Sequence, residues 1–226
     1  MIDQPDLVRE RIAALSGVVF VVLIMVHAIL QGSAPTLQDP PDEVVQYLAD
    51  KEAEFKLGAY LQGLAMIAYL WFLGSLWRVL RDSEGGPGRL SVVAVGATAI
   101  LVSLVGVHIA ILTGLAVRAD DGLDAGVVSS LYVIAFMLLA LSGFAAAALT
   151  GAVGGLVLRT ESLPRWLGVL SFVSAVLWLL AGVGATTESE AWAGVGFVAF
   201  VVWLAWTAAT SVVVAQRLGK PNVAAK

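Results

Sequence analysis

The sequence predicts an all-α integral membrane protein, a single domain (residues 1–226) built as a bundle of six transmembrane helices, and three observations predict it. The chain is 59% hydrophobic and only 13% charged, against about 45–50% apolar and about 25% charged in soluble domains. Its apolar residues gather into six runs, each near or above the roughly 20 residues that a helix needs to cross a bilayer. The gaps between runs are basic and acidic by turns, the pattern expected when successive helices cross in opposite directions.

The first run, residues 12–31, is apolar apart from Ser16 and His27 up to Leu30. A signal peptide is the competing reading, because Arg9 and Arg11 make a basic start and Gly32, Ser33 and Ala34 are small. The apolar run exceeds the roughly 7–15 residues of a signal core, so a retained helix is expected. Residues 41–55 begin with Pro40, Pro41, Asp42 and Glu43, proline and acids belonging in the first turn of a helix. Val44, Leu48 and Phe55 then share a face, which predicts a short amphipathic helix at the membrane surface or an extension of the next span.

The second span is predicted over 57–77, followed by a turn containing Arg78, Arg81 and Arg89 with Gly85, Gly86, Pro87 and Gly88, residues that end a helix. The third covers 90–117 and leads into an acidic loop with Arg118, Asp120, Asp121 and Asp124. The fourth, 127–158, is longer than a perpendicular crossing requires, so it must tilt, bend near Gly143 or protrude. Arg159, Glu161, Pro164 and Arg165 form the next turn, 166–185 the fifth span, Glu188 and Glu190 the next loop, and 192–215 the sixth. The tail carries Arg217, Lys220 and Lys226.

Ten of the 13 basic residues fall on the side of the termini, leaving Lys51, Lys56 and Arg118 on the other. The positive-inside rule then places both termini in the cytoplasm. Trp77 and Trp166 are expected at the inner interface and Trp192 at the outer, while Trp71, Trp178, Trp203 and Trp206 lie deeper and should pack or face lipid. The segments VLRDSEGGPGRLSVVAVG and VLRTESLPRWLGVLSFV echo each other. They suggest a parallel repeat, or only the likeness that basic cytoplasmic turns share.

Cysteine is absent, which removes disulfides, thiolate metal sites and cysteine nucleophiles. No basic run points to nucleic acid, and there is no HExxH, no GxxxxGK and no acid within a span, so no catalytic residue is assigned. The outer acids Asp120, Asp121 and Asp124 suit a solvated loop or a divalent cation.

Ionisable residues inside spans are functional candidates, and here they are His27 and His108. At 1.5 Å per residue, His27 lies about 24 Å from Arg11 and His108 about 28 Å from Arg89, both in the outer half. Gln62 and Tyr132 fall at similar depth on two further spans. Three readings follow. The four groups line an outward-facing pocket for a small or amphipathic molecule, they lock helix packing through hydrogen bonds, or His27 and His108 ligate a b-type haem. Small residues at every fourth position, Gly106, Ala110 and Gly114 on the third span and Ala147, Gly151 and Gly155 on the fourth, are expected to pack helices within the bundle.

WFLGSLWRVLR (Trp71 to Arg81), LPRWLGVLSFV (Leu163 to Val173) and the early ALSGVVFVVL resemble a broad family of uncharacterised six-span membrane proteins of high-GC bacteria. The resemblance covers most of the chain and implies a six-helix fold without an assigned reaction or functional residues. The expectation is a non-enzymatic accessory or assembly subunit of a membrane complex, in contact with lipid and with a protein partner or further copies of itself. The alternatives are a small-molecule or lipid binder using the outer polar layer, and a haem electron carrier.

Overall fold

The structure is a computed structural model that describes residues 4–184 and 190–218, without the side chains of 4–7, 120, 184 and 190–193. The expectations for the side chains of Asp120, Glu188, Glu190, Trp192, Lys220 and Lys226 lie outside it. Among the described residues seven α-helices follow in order: α1 (Gln4–Gln31), α2 (Pro41–Asp50), α3 (Glu52–Glu84), α4 (Arg89–Val117), α5 (Ala125–Thr160), α6 (Arg165–Gly184) and α7 (Glu190–Leu218). Six of them, all but α2, are long and apolar enough to cross a membrane. Their outward faces carry large apolar side chains such as Ile12, Ile29, Ile67, Trp71, Ile100 and Phe197, an exterior suited to lipid.

Each long helix packs on the next in the chain, and α7 returns to α1, so the six close into a ring. One end of the ring carries the start of α1 and the end of α7, and the other carries α2. In the terminal half the centre is filled: Phe72, Leu76, Leu149, Val153, Leu156 and Trp206 are fully buried in one cluster. Several polar groups there tie helices together, although Ser162 Oγ and Thr207 Oγ1 are buried without a partner. Trp206 Nε1 donates to Ser171 Oγ at 2.7 Å, and Ser211 Oγ donates to Ala14 O at 2.6 Å, tying α7 to α6 and to α1. Arg78 of α3 pairs with Glu10 of α1 at the same end.

Local signals set the helix ends. Gly32, with φ +64°, closes α1, a conformation glycine adopts without the steric cost a Cβ imposes. In the α3–α4 turn, Glu84 accepts from Leu90 N (2.6 Å), Ser91 N (2.9 Å) and Ser91 Oγ (2.6 Å), so a carboxylate satisfies the unpaired donors at the start of α4. Its counterpart between α5 and α6 uses Thr160 Oγ1 and Glu161 in the left-handed region instead. The two turns alike in sequence therefore differ in their caps. Asp124 caps α5 by accepting from Val127 N at 3.1 Å. α5 runs through Gly143 without interruption. A Cβ there would stand 2.9 Å from Trp178 Cε3, so this glycine makes room for an indole.

The segment predicted over 41–55 divides at Lys51, whose φ of −111° and ψ of 15° separate α2 from α3. The apolar face of α2 does not meet lipid. Val44, Leu48 and Phe55 are buried against Leu112, Leu115, Val128 and Tyr132, so the segment is stapled across the ends of α4 and α5.

The small-residue stripes are corrected in part. Ala147 is buried, and the Cβ positions of Gly106, Gly151 and Gly155 meet Met66, Ala175 and Leu90 at 3.3, 3.8 and 3.9 Å. Ala110 and Gly114 are exposed, and a Cβ at Gly114 would meet nothing within 4 Å. Spacing by four selects a helix face but not which way that face turns. Tighter approaches include Gly17, Gly58, Gly154 and Gly168, where an added Cβ would lie 2.8–3.0 Å from its nearest neighbour, and Gly182, where it would lie 2.6 Å from Phe144 Cζ.

Candidate functional site

In the half of the ring nearer α2 the centre is not filled. A cavity of about 620 Å³ lies there, lined by all six long helices and by residues 35–38 of the loop after α1. On α1 the lining runs from Phe20 to Gln31, a depth of about 16 Å at the rise of an α-helix. The volume falls within the roughly 300–1,000 Å³ typical of small-molecule sites. Among the described residues no Asp, Glu, Lys or Arg lines it.

His27, Gln62 and His108 all line this cavity, so three of the four polar residues singled out in the sequence are brought together. His108 is oriented by α5: its Nδ1 lies 2.8 Å from Ala135 O. A carbonyl can only accept, so Nδ1 carries the proton and Nε2 keeps its lone pair. Phe136 stands edge-on to the imidazole, with centroids 5.5 Å apart and planes at 83°. His27 is held by shape. A Cβ at Gly58 would be 2.8 Å from His27 Nδ1, so only glycine lets α3 approach the ring this closely. That Nδ1 faces the backbone of Gly58 but makes no hydrogen bond of good geometry.

Tyr132 is not part of the lining. Its hydroxyl donates to Pro35 O at 2.8 Å and so ties α5 to the 35–38 loop that lines the cavity. A second tyrosine helps: Tyr47 of α2 donates to Gln31 O at 3.1 Å. Burial, and then the nearby Glu54 carboxylate, raises the Tyr47 phenol above its ordinary value. This bond accordingly survives at neutral and mildly alkaline pH and is lost only as pH rises through that raised value. Tyr132→Phe removes the Pro35 bond without changing ring volume. A net loss of about 0.5–1.5 kcal/mol is expected to speed release of a cavity probe by about 2- to 10-fold, measured by stopped-flow displacement.

The floor of the cavity was not visible in the sequence. Trp203 of α7 gathers Phe20 of α1, Tyr69 of α3, Trp178 of α6 and Phe200 of α7 around it in an aromatic cluster. Ring centroids are 4.5 Å apart for Phe20–Tyr69, 5.4 Å for Phe20–Trp203 and 6.4 Å for Trp178–Trp203. Two of these tryptophans stood out as lying too deep for an interfacial belt; Tyr69, inside an apolar run, gave no signal. Trp71, equally deep, is 64% exposed and faces outward.

Comparison with protein-family models, curated proteins and solved structures gives no match. The functional reading therefore rests on the chain's own geometry.

The cavity and the two histidines make different demands on stability. His108→Leu breaks an interhelical bond, which within membranes costs about 0.6 kcal/mol on average and up to about 1.7 kcal/mol. His27→Leu breaks none at Nδ1, and its cost should be smaller. Unfolding of both variants in a denaturing detergent titration checks the order. Two acids of the α4–α5 loop have local partners: Arg118 Nε binds Asp121 Oδ2 at 2.9 Å, and Asp124 caps α5. Among the described residues no group of three or more His, Asp or Glu stands close enough to hold a metal ion.

Proposed function

We propose that this protein is a multi-pass plasma-membrane protein that binds a small lipophilic molecule in its central cavity. Both termini lie in the cytoplasm, and the cavity opens toward the outer face beneath the α1–α2 loop. The observation that carries the reading is the cavity itself. A bundle selected only as a packing scaffold fills its centre, as this one does in the terminal half around Phe72, Leu149 and Trp206. An apolar space of about 620 Å³ forgoes the dispersion contacts that close packing supplies, and a ligand restores them. The orientation rests on the ten basic residues of the terminal side against three on the other.

This reading is preferred to that of an assembly subunit because it uses a built internal feature, whereas the exposed apolar faces are those any lipid-contacting bundle presents. The haem reading shares the cavity, and an absorption spectrum of the purified protein without a Soret band separates the two.

The test is a titration of the full chain in mild detergent with 1-aminoanthracene, an apolar fluorophore. Saturable enhancement at one site per chain, above that of protein-free micelles, supports the proposal. Enhancement that only follows micelle concentration overturns it.

A further inference from the structure

Three buried side chains of the cavity wall keep polar atoms open to the space they enclose. Gln62 is 5% exposed, and its amide makes no hydrogen bond with the described residues yet is not sealed by them. His108 spends Nδ1 on Ala135 O and leaves Nε2 open. His27 Nε2 is open in the same way, although its Nδ1 is shut against Gly58. Unpaired polar atoms elsewhere in the bundle, such as Tyr69 Oη, Trp203 Nε1, Thr113 Oγ1 and Thr207 Oγ1, are closed in by protein and reach no ligand. Ser142, which also lines the cavity, donates to Leu139 O of its own helix.

The packing of α3 sets these groups in one layer. Gly58 faces His27, and Gln62 follows Gly58 by four residues, on the same face of α3 one turn deeper. A turn deeper again, Met66 Cε lies 3.3 Å from where a Cβ of Gly106 on α4 would stand. Counting from that contact back toward α2, Gln62 is about 6 Å above Met66 and His108 about 3 Å above Gly106. Gln62 therefore stands between the two imidazoles in depth, in a layer of roughly two helical turns.

With its proton on Nδ1, His108 offers an acceptor at Nε2. No acid among the described residues lines the cavity, so an imidazolium, or a charged ligand, has no counter-ion there. A carbonyl or an ether gives a lone pair nothing to bind, whereas a hydroxyl donates to it and still accepts through its own oxygen. We propose, resting on the ligand-binding reading above, that the cavity recognises an uncharged apolar compound by one hydroxyl, as in a phenol or a lipophilic alcohol. The hydroxyl donates to His108 Nε2 and accepts from the Gln62 amide. His27, whose tautomer no hydrogen bond of good geometry fixes, can fill the remaining lone pair. The apolar body lies against Phe20, Phe200 and Trp203 at the floor.

The test uses three probes on one ring skeleton: 2-naphthol carries a hydroxyl, 2-methoxynaphthalene only an acceptor oxygen, and 2-methylnaphthalene neither. Each competes with 1-aminoanthracene on the full chain in detergent, and its affinity is corrected for its own partition into protein-free micelles. The wild type is expected to bind 2-naphthol about tenfold more tightly than either analogue. Gln62→Met keeps the length of the side chain and breaks no hydrogen bond within the described protein. It should weaken 2-naphthol by about 3- to 10-fold and leave 2-methylnaphthalene within about twofold, the hydrocarbon reporting that the cavity is intact. His108→Phe should abolish the preference for 2-naphthol over 2-methoxynaphthalene, and Gln62→Met carries the test alone should that variant fail to fold. Decahydro-2-naphthol, the saturated alcohol of the same skeleton, assigns the source of the hydroxyl: affinity equal to that of 2-naphthol points to alcohols at large, weaker affinity to phenols. Equal corrected affinities for the three naphthalenes in the wild type, or a preference for 2-naphthol that survives either substitution, overturn the hydroxyl assignment and leave ligand binding standing. If 1-aminoanthracene itself does not bind, both readings fall.

Discussion

Gly154→Leu is expected to prevent stable assembly of the bundle, while Gly114→Ala leaves it unchanged or slightly more stable. At Gly154 an added Cβ would stand 3.0 Å from Gly168 O, 3.0 Å from Phe172 Cδ2 and 3.1 Å from Ser171 Cβ. The first of these is backbone and cannot rotate away. Gly168 faces the same crossing, where a Cβ would lie 2.8 Å from Leu158 Cδ2. Overpacking of this kind costs about 1–3 kcal/mol for small increments, and a leucine asks α5 and α6 to separate. Gly114 has open space, and replacing glycine by alanine inside a helix favours it by about 0.5–1 kcal/mol. Yield of monodisperse protein and the midpoint of thermal unfolding read out both changes.

Val105→Trp combined with Ala140→Trp should abolish 1-aminoanthracene binding while the protein remains folded. Val105 on α4 and Ala140 on α5 both line the cavity, and neither is tightly buried, so two indoles placed there occupy the volume that the ligand needs. Filling an apolar void costs little when space is available and gains dispersion contacts, so the unfolding midpoint should hold or rise. A loss of more than about tenfold in affinity with an unchanged midpoint assigns the binding to this cavity. Unchanged binding places the probe on the lipid-facing surface.

The six spans were legible because lipid imposes a simple rule on composition: runs of about 20 apolar residues, interrupted by charge. The sequence also brought forward His27, Gln62 and His108, since polar groups stand out against an apolar background, and depth along a helix follows from counting. What counting does not supply is direction. Tyr132 lies at the right depth but turns toward Pro35, and the stripe Gly106–Ala110–Gly114 turns its later members outward. Trp178 and Trp203 stood out only as deep and Tyr69 not at all, so the three were missed as a group. Only the closure of α7 onto α1 sets Trp203 against Phe20 and Tyr69. Gly58 escaped notice for the same reason: its meaning lies in His27, on another helix. The amphipathic face of α2 was readable, but the surface it covers was not, since Leu112 and Val128 look as lipid-facing as their neighbours until the helices are assembled.

The most direct test of the cavity as a binding site is native mass spectrometry of the intact chain, purified in mild detergent from its own membranes. The account predicts that the wild type retains a small-molecule adduct that is released on activation, and that the Val105→Trp, Ala140→Trp double variant does not. The same adducts on both proteins, or bare chains in both, would contradict it.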